Sequence, residues 1–179
     1  MDTHSLFSLT GRTALVTGGS RGIGKMIATG FIAQGAKVYI SSRKADVCEA
    51  VAAELGPNCI AVPEDISTVE GCKALAATMA DKEDAIDILV NNAGVMACPP
   101  GRTAQGFELQ FGTNHLGHFL LTHLLLDLLK ASAPSRVVTV SSMGHTGGKI
   151  NFDDLMSEKS YNNITAYCQS KLANVLFTR

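Results

Sequence analysis

The segment TGGSRGIG, Thr17 to Gly24, constrains this chain more than any other, because it joins an apolar β-type run to a helix-period run. TALVT (Thr13–Thr17) reads as a buried strand, and the apolar spacing that follows predicts a helix from about Ile23 to Gln34. Gly18 permits a tight exit from the strand, while Gly22 and Gly24 let a phosphate and a packed helix come close to the backbone. The helix N-terminus then offers free N–H groups and the positive end of a dipole. A glycine-rich turn without a ligand is the plain alternative. The strand before and the helix after favour a nucleotide phosphate.

The alternation continues along the chain. KVYIS (Lys37–Ser41) reads as the second strand, ADVCEAVAAEL as a helix ended by Gly56-Pro57, and NCIAVPED as the third strand. VEGCKALAATMA is helical, and IDILVNNAG (Ile86–Gly94) is a fourth strand running into a turn. A loop-like ACPPGRTAQG leads to a helical pattern from about Phe107 to Lys130, then to the fifth strand, SRVVTVSS (Ser135–Ser142). MGHTGGKINFDDLMSEKSYNN reads as irregular, and a last helix begins near Thr165 with no stop signal before Arg179. Strands this apolar suit a parallel sheet covered on both faces. Right-handed crossovers then predict an α/β, doubly wound, Rossmann-like sheet ordered 3-2-1-4-5, as one domain over residues 1–179. Ligands of such sheets bind at the carboxyl ends of the strands.

Composition removes several function classes. The 179 residues are 46% hydrophobic and 17% charged, which fits one globular domain. A net charge of -1 leaves no basic field for nucleic acid or anionic lipid, and with no Trp a base-stacking surface is not expected. Five cysteines (Cys48, Cys59, Cys72, Cys98, Cys168), odd in number and without C-x-x-C spacing, predict reduced thiols in a soluble cytoplasmic protein. The N-terminal MDTHSLFSLTGR has no apolar run of leader length, and no membrane span is expected. The apolar run from Leu120 to Leu129 reads as core or as a subunit-contact helix. His115 and His118, with His123 and His145 elsewhere, lack a carboxylate at ligand spacing, so no metal is expected.

The end of the second strand chooses a cofactor. An NAD site places an acid there for the ribose 2′-hydroxyl, whereas this chain has Ser42 and Arg43, with Arg21 in the glycine turn. Two guanidinium groups and no carboxylate suit a 2′-phosphate, so NADP(H) is favoured over NAD(H). NNAG (Asn91–Gly94) alone would be only a turn signal. In AYCQSK, Tyr167 and Lys171 stand four residues apart and share one helix face. A phenol is a poor acid or base at neutral pH unless a nearby ammonium stabilises its anion. A hydroxyl from Ser141 or Ser142 could hold a substrate carbonyl, so that the pair moves a proton while hydride is transferred. Y-x-x-x-K alone is a chance pattern; the surrounding features give it weight.

TGGSRGIG, NNAG, VSS and YCQSK together resemble the short-chain dehydrogenase/reductase family, over the whole chain. The resemblance implies Tyr167 as acid/base, Ser142 as the carbonyl partner, Lys171 on the tyrosine and the nicotinamide ribose, and Asn114 in the proton relay. It implies cofactor contacts at Gly18, Ser20, Arg21, Gly22, Ile23, Gly24, Arg43, Asp65, Ile66, Asn91, Ala93 and Gly94, as well as at Tyr167 and Lys171. Up to NNAG the chain is similar to bacterial 3-oxoacyl and rhamnolipid-type ketoreductases. From NNAGVMACP onward it is similar to retinol dehydrogenases, the pattern of a recombined sequence. The expected activity is carbonyl/alcohol interconversion on a retinal-like or 3-oxoacyl-like small molecule. The alternative is a fragment that binds nucleotide, or only folds, without turnover. The family continues for two more strands, so the domain is expected to be incomplete at its C-terminus. The fifth strand would then be an uncovered apolar edge prone to homo-oligomer formation.

Overall fold

The structure, a computed structural model, describes residues 6–178; residues 1–5 and Arg179 of the expected domain lie outside them. Five parallel strands form one sheet in the order β3-β2-β1-β4-β5, as the βαβ alternation predicts. They are β1 (Thr13–Thr17), β2 (Lys37–Ser41), β3 (Cys59–Ala61), β4 (Ile88–Asn91) and β5 (Arg136–Thr139). The helices are α1 (Gly22–Ala33), α2 (Ala45–Leu55), α3 (Val69–Lys82), α4 (Leu109–Phe111), α5 (Gly117–Leu124), α6 (Leu126–Ala131) and α7 (Asn163–Phe177).

Alternation along the strands builds two cores. Leu15, Tyr39 and Leu89 pack on one face with Leu75 and Met79 of α3 and Leu121 of α5. Ala14, Val16, Val38, Ile40 and Val90 pack on the other, with Ala28 of α1 and Val51 of α2. β1 is therefore buried on both faces and fixes the register of β2 and β4, with Val16 opposite Ile40 and Val90. β5 differs: Val137 and Val138 are 38% and 48% exposed on this edge strand.

β3, β4 and β5 are shorter than the sequence pattern predicts. Pairing of β4 stops at Asn91 and that of β5 at Thr139, so Asn92–Gly94 and Ser141-Ser142 leave the sheet as connecting backbone. The predicted Phe107–Lys130 helix is also interrupted, by a π-helical turn at Gly112–Leu116. Such turns widen the helix locally and are frequent at functional sites; here the turn carries Asn114. The irregular segment before α7 contains short 3₁₀ turns at Met143–Gly147 and Phe152–Asp154. Gln169 of α7 holds it, accepting from the Asn151 amide at 2.9 Å and donating to the Leu155 carbonyl at 3.0 Å. α7 starts at Asn163 because Asn162 caps it, its Oδ1 accepting the Ile164 and Thr165 amides.

Candidate active site

A cleft of about 790 Å³ opens at the carboxyl ends of β1, β2 and β4. Its floor is the glycine turn. Gly18 has φ +66°, and a side chain there would meet Ala93 Cα at 2.9 Å; one on Gly24 would meet the Gly18 carbonyl at 2.2 Å. Both contacts are with backbone, so these two glycines are what lets β1, α1 and the NNAG turn close on one another. The start of α1 has no side-chain cap and no acid in its first turn, leaving its N–H groups for an anion.

Gly18, Ser20, Arg21, Gly22, Ile23 and Gly24 all line the cleft, as do Arg43, Asp65, Ile66, Ala93 and Gly94. Asn91 does not. Strand alternation turns it to the Leu89 side, where its Nδ2 donates to Thr122 Oγ1 at 2.9 Å, and it is fully buried. The neighbouring Asn92 lines the cleft instead, donating from Nδ2 to the Thr17 carbonyl at 2.8 Å. Lys44, Thr113 and Glu64 also line the cleft without having been singled out from the sequence. Lys44 was legible as a cation next to Arg43; Thr113 depends on the π-helical turn, which leaves no simple periodic signal. Ser41 Oγ and Ser42 Oγ, beside Arg43, are buried and have no hydrogen-bond partner among the described residues.

The remaining candidates gather next to the cleft, outside its lining. Ser142 caps the 3₁₀ turn, its Oγ accepting the Gly144 amide at 3.1 Å. A Cβ on Gly144 would lie 3.3 Å from Tyr167 Cε1 and 3.5 Å from Ser142 Oγ, so the serine hydroxyl and the phenol ring flank the same glycine. Lys171 Nζ sits 5.8 Å from the Tyr167 ring centroid and donates to the Val140 carbonyl at 3.1 Å. Burial lowers the Lys171 pKa below the ordinary lysine value. Ser141 is engaged elsewhere, donating to the Lys171 carbonyl at 2.9 Å. Asn114 is fully buried and its amide braces the cleft wall. It donates to the Val95 carbonyl and to Ser170 Oγ, and accepts the Val95 amide at 2.8 Å.

The matched sequence family settles what kind of chain carries this arrangement: the model described as "short chain dehydrogenase" matches residues 12–179. The chain belongs to the short chain dehydrogenase family. It is 47% identical over 178 residues to retinol dehydrogenase 13 of Homo sapiens, covering 96% of this chain and 54% of that protein. It is 49% identical over 176 residues to retinol dehydrogenase 12 of Homo sapiens, covering 96% of this chain and 56% of the relative. The likeness to retinol dehydrogenases thus runs through both halves, and the chain spans about half the length of these relatives. Among solved structures, an uncharacterized protein from Mycobacterium paratuberculosis superposes with a TM-score of 0.87 at 42% identity, covering 96% of this chain and 61% of the other. A Pseudomonas aeruginosa RhlG/NADP active-site complex superposes at 0.78 and 36% identity, covering 96% and 66%.

A short chain dehydrogenase uses a nicotinamide nucleotide, and the residues present fit one. The glycine cradle admits backbone close to a pyrophosphate, and two orphaned serine hydroxyls stand beside cationic side chains at the end of β2. His115 and His118 are engaged otherwise. His115 Nδ1 lies 3.2 Å from Asn174 Oδ1 and its ring packs near Phe111 and Phe177. His118 is buried between Thr17 and Asn114, and no cluster of three metal-ligating side chains occurs among the described residues. The cysteines are free, with burial pushing the Cys59 and Cys72 thiols up to about 11 and about 12. Among the described residues no helix is long and apolar enough to cross a membrane.

Proposed function

We propose that this short chain dehydrogenase binds NADP(H) in the cleft and interconverts a carbonyl and an alcohol, with a retinal-like molecule as the favoured substrate class. The observation that carries the reading is the meeting of Ser142, Tyr167 and Lys171 beside a cleft floored by the glycine turn. The bound nicotinamide would supply or accept hydride. Ser142 Oγ would donate a hydrogen bond to the substrate oxygen and orient the carbonyl. The Tyr167 hydroxyl would give its proton to that oxygen on reduction and take it back on oxidation. Lys171, almost wholly buried, would face the phenol and the nicotinamide ribose with its ammonium group. Asn114 would act by holding Val95 in place, since both of its amide hydrogens are already used.

Preference for NADP(H) is supported by Arg21, Arg43 and Lys44 around Ser41 and Ser42, with no carboxylate at the end of β2. The retinoid class is supported by the names of the relatives at 46–49% identity; a 3-oxoacyl-like substrate is the other class that the motifs allow. A second reading, nucleotide binding without turnover, is favoured by one feature: Ser142 and Tyr167 do not line the cleft. The free thiols fit a reducing, cytoplasmic setting, and the exposed β5 edge fits a homo-oligomer. Titrating the chain with NADPH and NADH, then following NADPH oxidation with retinal and a panel of ketones, separates these readings. Tighter NADPH binding with retinal-dependent oxidation supports the first; binding with no oxidation supports the second.

A further inference from the structure

We propose that His118 is a positioning residue for the nucleotide cleft: as the neutral Nδ1–H tautomer it accepts the Thr17 hydroxyl proton, leaving both Thr17 lone pairs for the Asn92 and Ala93 amides. This rests on the reading of the cleft as an NADP(H) site.

The tautomer follows from the partners. His118 Nδ1 lies 3.0 Å from the Asn114 carbonyl, which can only accept, so the proton is on Nδ1. Burial lowers the His118 pKa to about 4, helped by the nearby Lys171 ammonium, so the ring is neutral and Nε2 carries a lone pair. That lone pair lies 3.0 Å from Thr17 Oγ1. Two lone pairs would repel at this distance, so the Thr17 hydroxyl hydrogen points to Nε2. The Val90 carbonyl, at 3.2 Å, is the competing acceptor. With its hydrogen on Nε2, Thr17 Oγ1 accepts the Asn92 amide at 2.9 Å and the Ala93 amide at 3.0 Å, so its hydrogen-bonding capacity is filled.

The consequence reaches the cleft because Asn92 and Ala93 line it. Ala93 Cα packs against Gly18, and Asn92 Nδ2 lies against Gly24, so any loosening of these amides shifts the phosphate-facing turn. Removing the Nε2 acceptor lets the Thr17 hydroxyl turn to Val90, and its lone pairs then no longer face both amides. Chain separation explains why the sequence does not disclose this: Thr17 and His118 are 101 residues apart.

Two amide substitutions separate the two ring nitrogens. Gln at 118 can present an acceptor where Nε2 stands; Asn can replace only the Nδ1 donor. In NADPH titrations of this chain, His118→Asn is expected to weaken binding by about tenfold, the loss of one buried hydrogen bond, and Thr17→Val, which also strips the Asn92 and Ala93 amides of their acceptor, by at least as much. His118→Gln should restore affinity to within about threefold of the unsubstituted chain, and the Thr17→Val/His118→Asn pair should bind no worse than Thr17→Val alone. Equal losses for Gln and Asn, or additive losses in the pair, would overturn the proposal. Nitrogen-15 NMR of the unsubstituted protein reads the tautomer without nucleotide or variant, and a proton on Nε2 overturns it as well. If the unsubstituted chain binds no NADPH, the function proposed above fails, while the tautomer still decides this inference.

Discussion

Arg43 stands at the end of β2, where a carboxylate would have selected a ribose hydroxyl, and the buried hydroxyls of Ser41 and Ser42 beside it have no partner among the described residues. A 2′-phosphate would satisfy all three. Arg43→Ala is therefore expected to weaken NADPH binding by about tenfold or more, the value of a charge-assisted hydrogen bond, and to leave NADH binding nearly unchanged. Competitive titration with the two nucleotides checks this, and equal losses for both would remove the 2′-phosphate assignment. Gly24 makes a different kind of demand. A Cβ there would lie 2.2 Å from the Gly18 carbonyl, a backbone atom with no rotamer to change. Gly24→Ala is expected to destabilise the fold by about 1–3 kcal/mol, the cost of overpacking, with nucleotide affinity falling too; chemical denaturation measures the first and titration the second.

At the scale of elements, α5 couples the sheet to pH through His118. Its pKa is lowered by burial to about 4, below the 6.5 of an exposed ring. The unfolded chain therefore takes up this proton first as pH falls. Stability from keeping the ring neutral is complete above about pH 6.5 and is lost between there and about pH 4, an effect on the order of 3 kcal/mol. Denaturation curves at several pH values should show a steeper acid-side fall for the unsubstituted protein than for His118→Gln, which cannot titrate there. β5 gives the other element-scale expectation. Its half-exposed Val137 and Val138 form an apolar edge, and such edges pair with further strands. Val138→Lys should reduce self-association in sedimentation velocity without changing NADPH affinity.

Elements were legible in the sequence to different degrees, for physical reasons. β1, β2 and α2 coincide with their apolar patterns because local periodicity and burial agree there. β4 and β5 end before their predicted runs do, since Asn92–Gly94 and the serine pair leave the sheet beside the site. The π-helical turn at Gly112–Leu116 has no periodic signature; it arises where Asn114 must bond Val95 and Ser170 together. The glycine turn and Arg43 were readable because each acts on neighbours in sequence. Asn91 was misplaced relative to the cleft because strand alternation, not the motif, decides which asparagine faces it.

For the molecule as a whole, the sheet order puts the carboxyl ends of β1 and β4 side by side, and the cleft opens there. α7 then brings Tyr167 to the glycine that Ser142 also flanks, with Lys171 beside the tyrosine ring. On the proposed function, this juxtaposition is a proton-transfer site served by the neighbouring nucleotide. Its most direct test is single-turnover transfer of deuterium from 4-deuterated NADPH to retinal by this chain, compared with Tyr167→Phe. Deuterium is expected in the alcohol product, with the rate reduced by about a hundredfold or more in Tyr167→Phe while NADPH affinity is kept. Equal rates in the two proteins, or tight NADPH binding with no deuterium transferred by either, would contradict it.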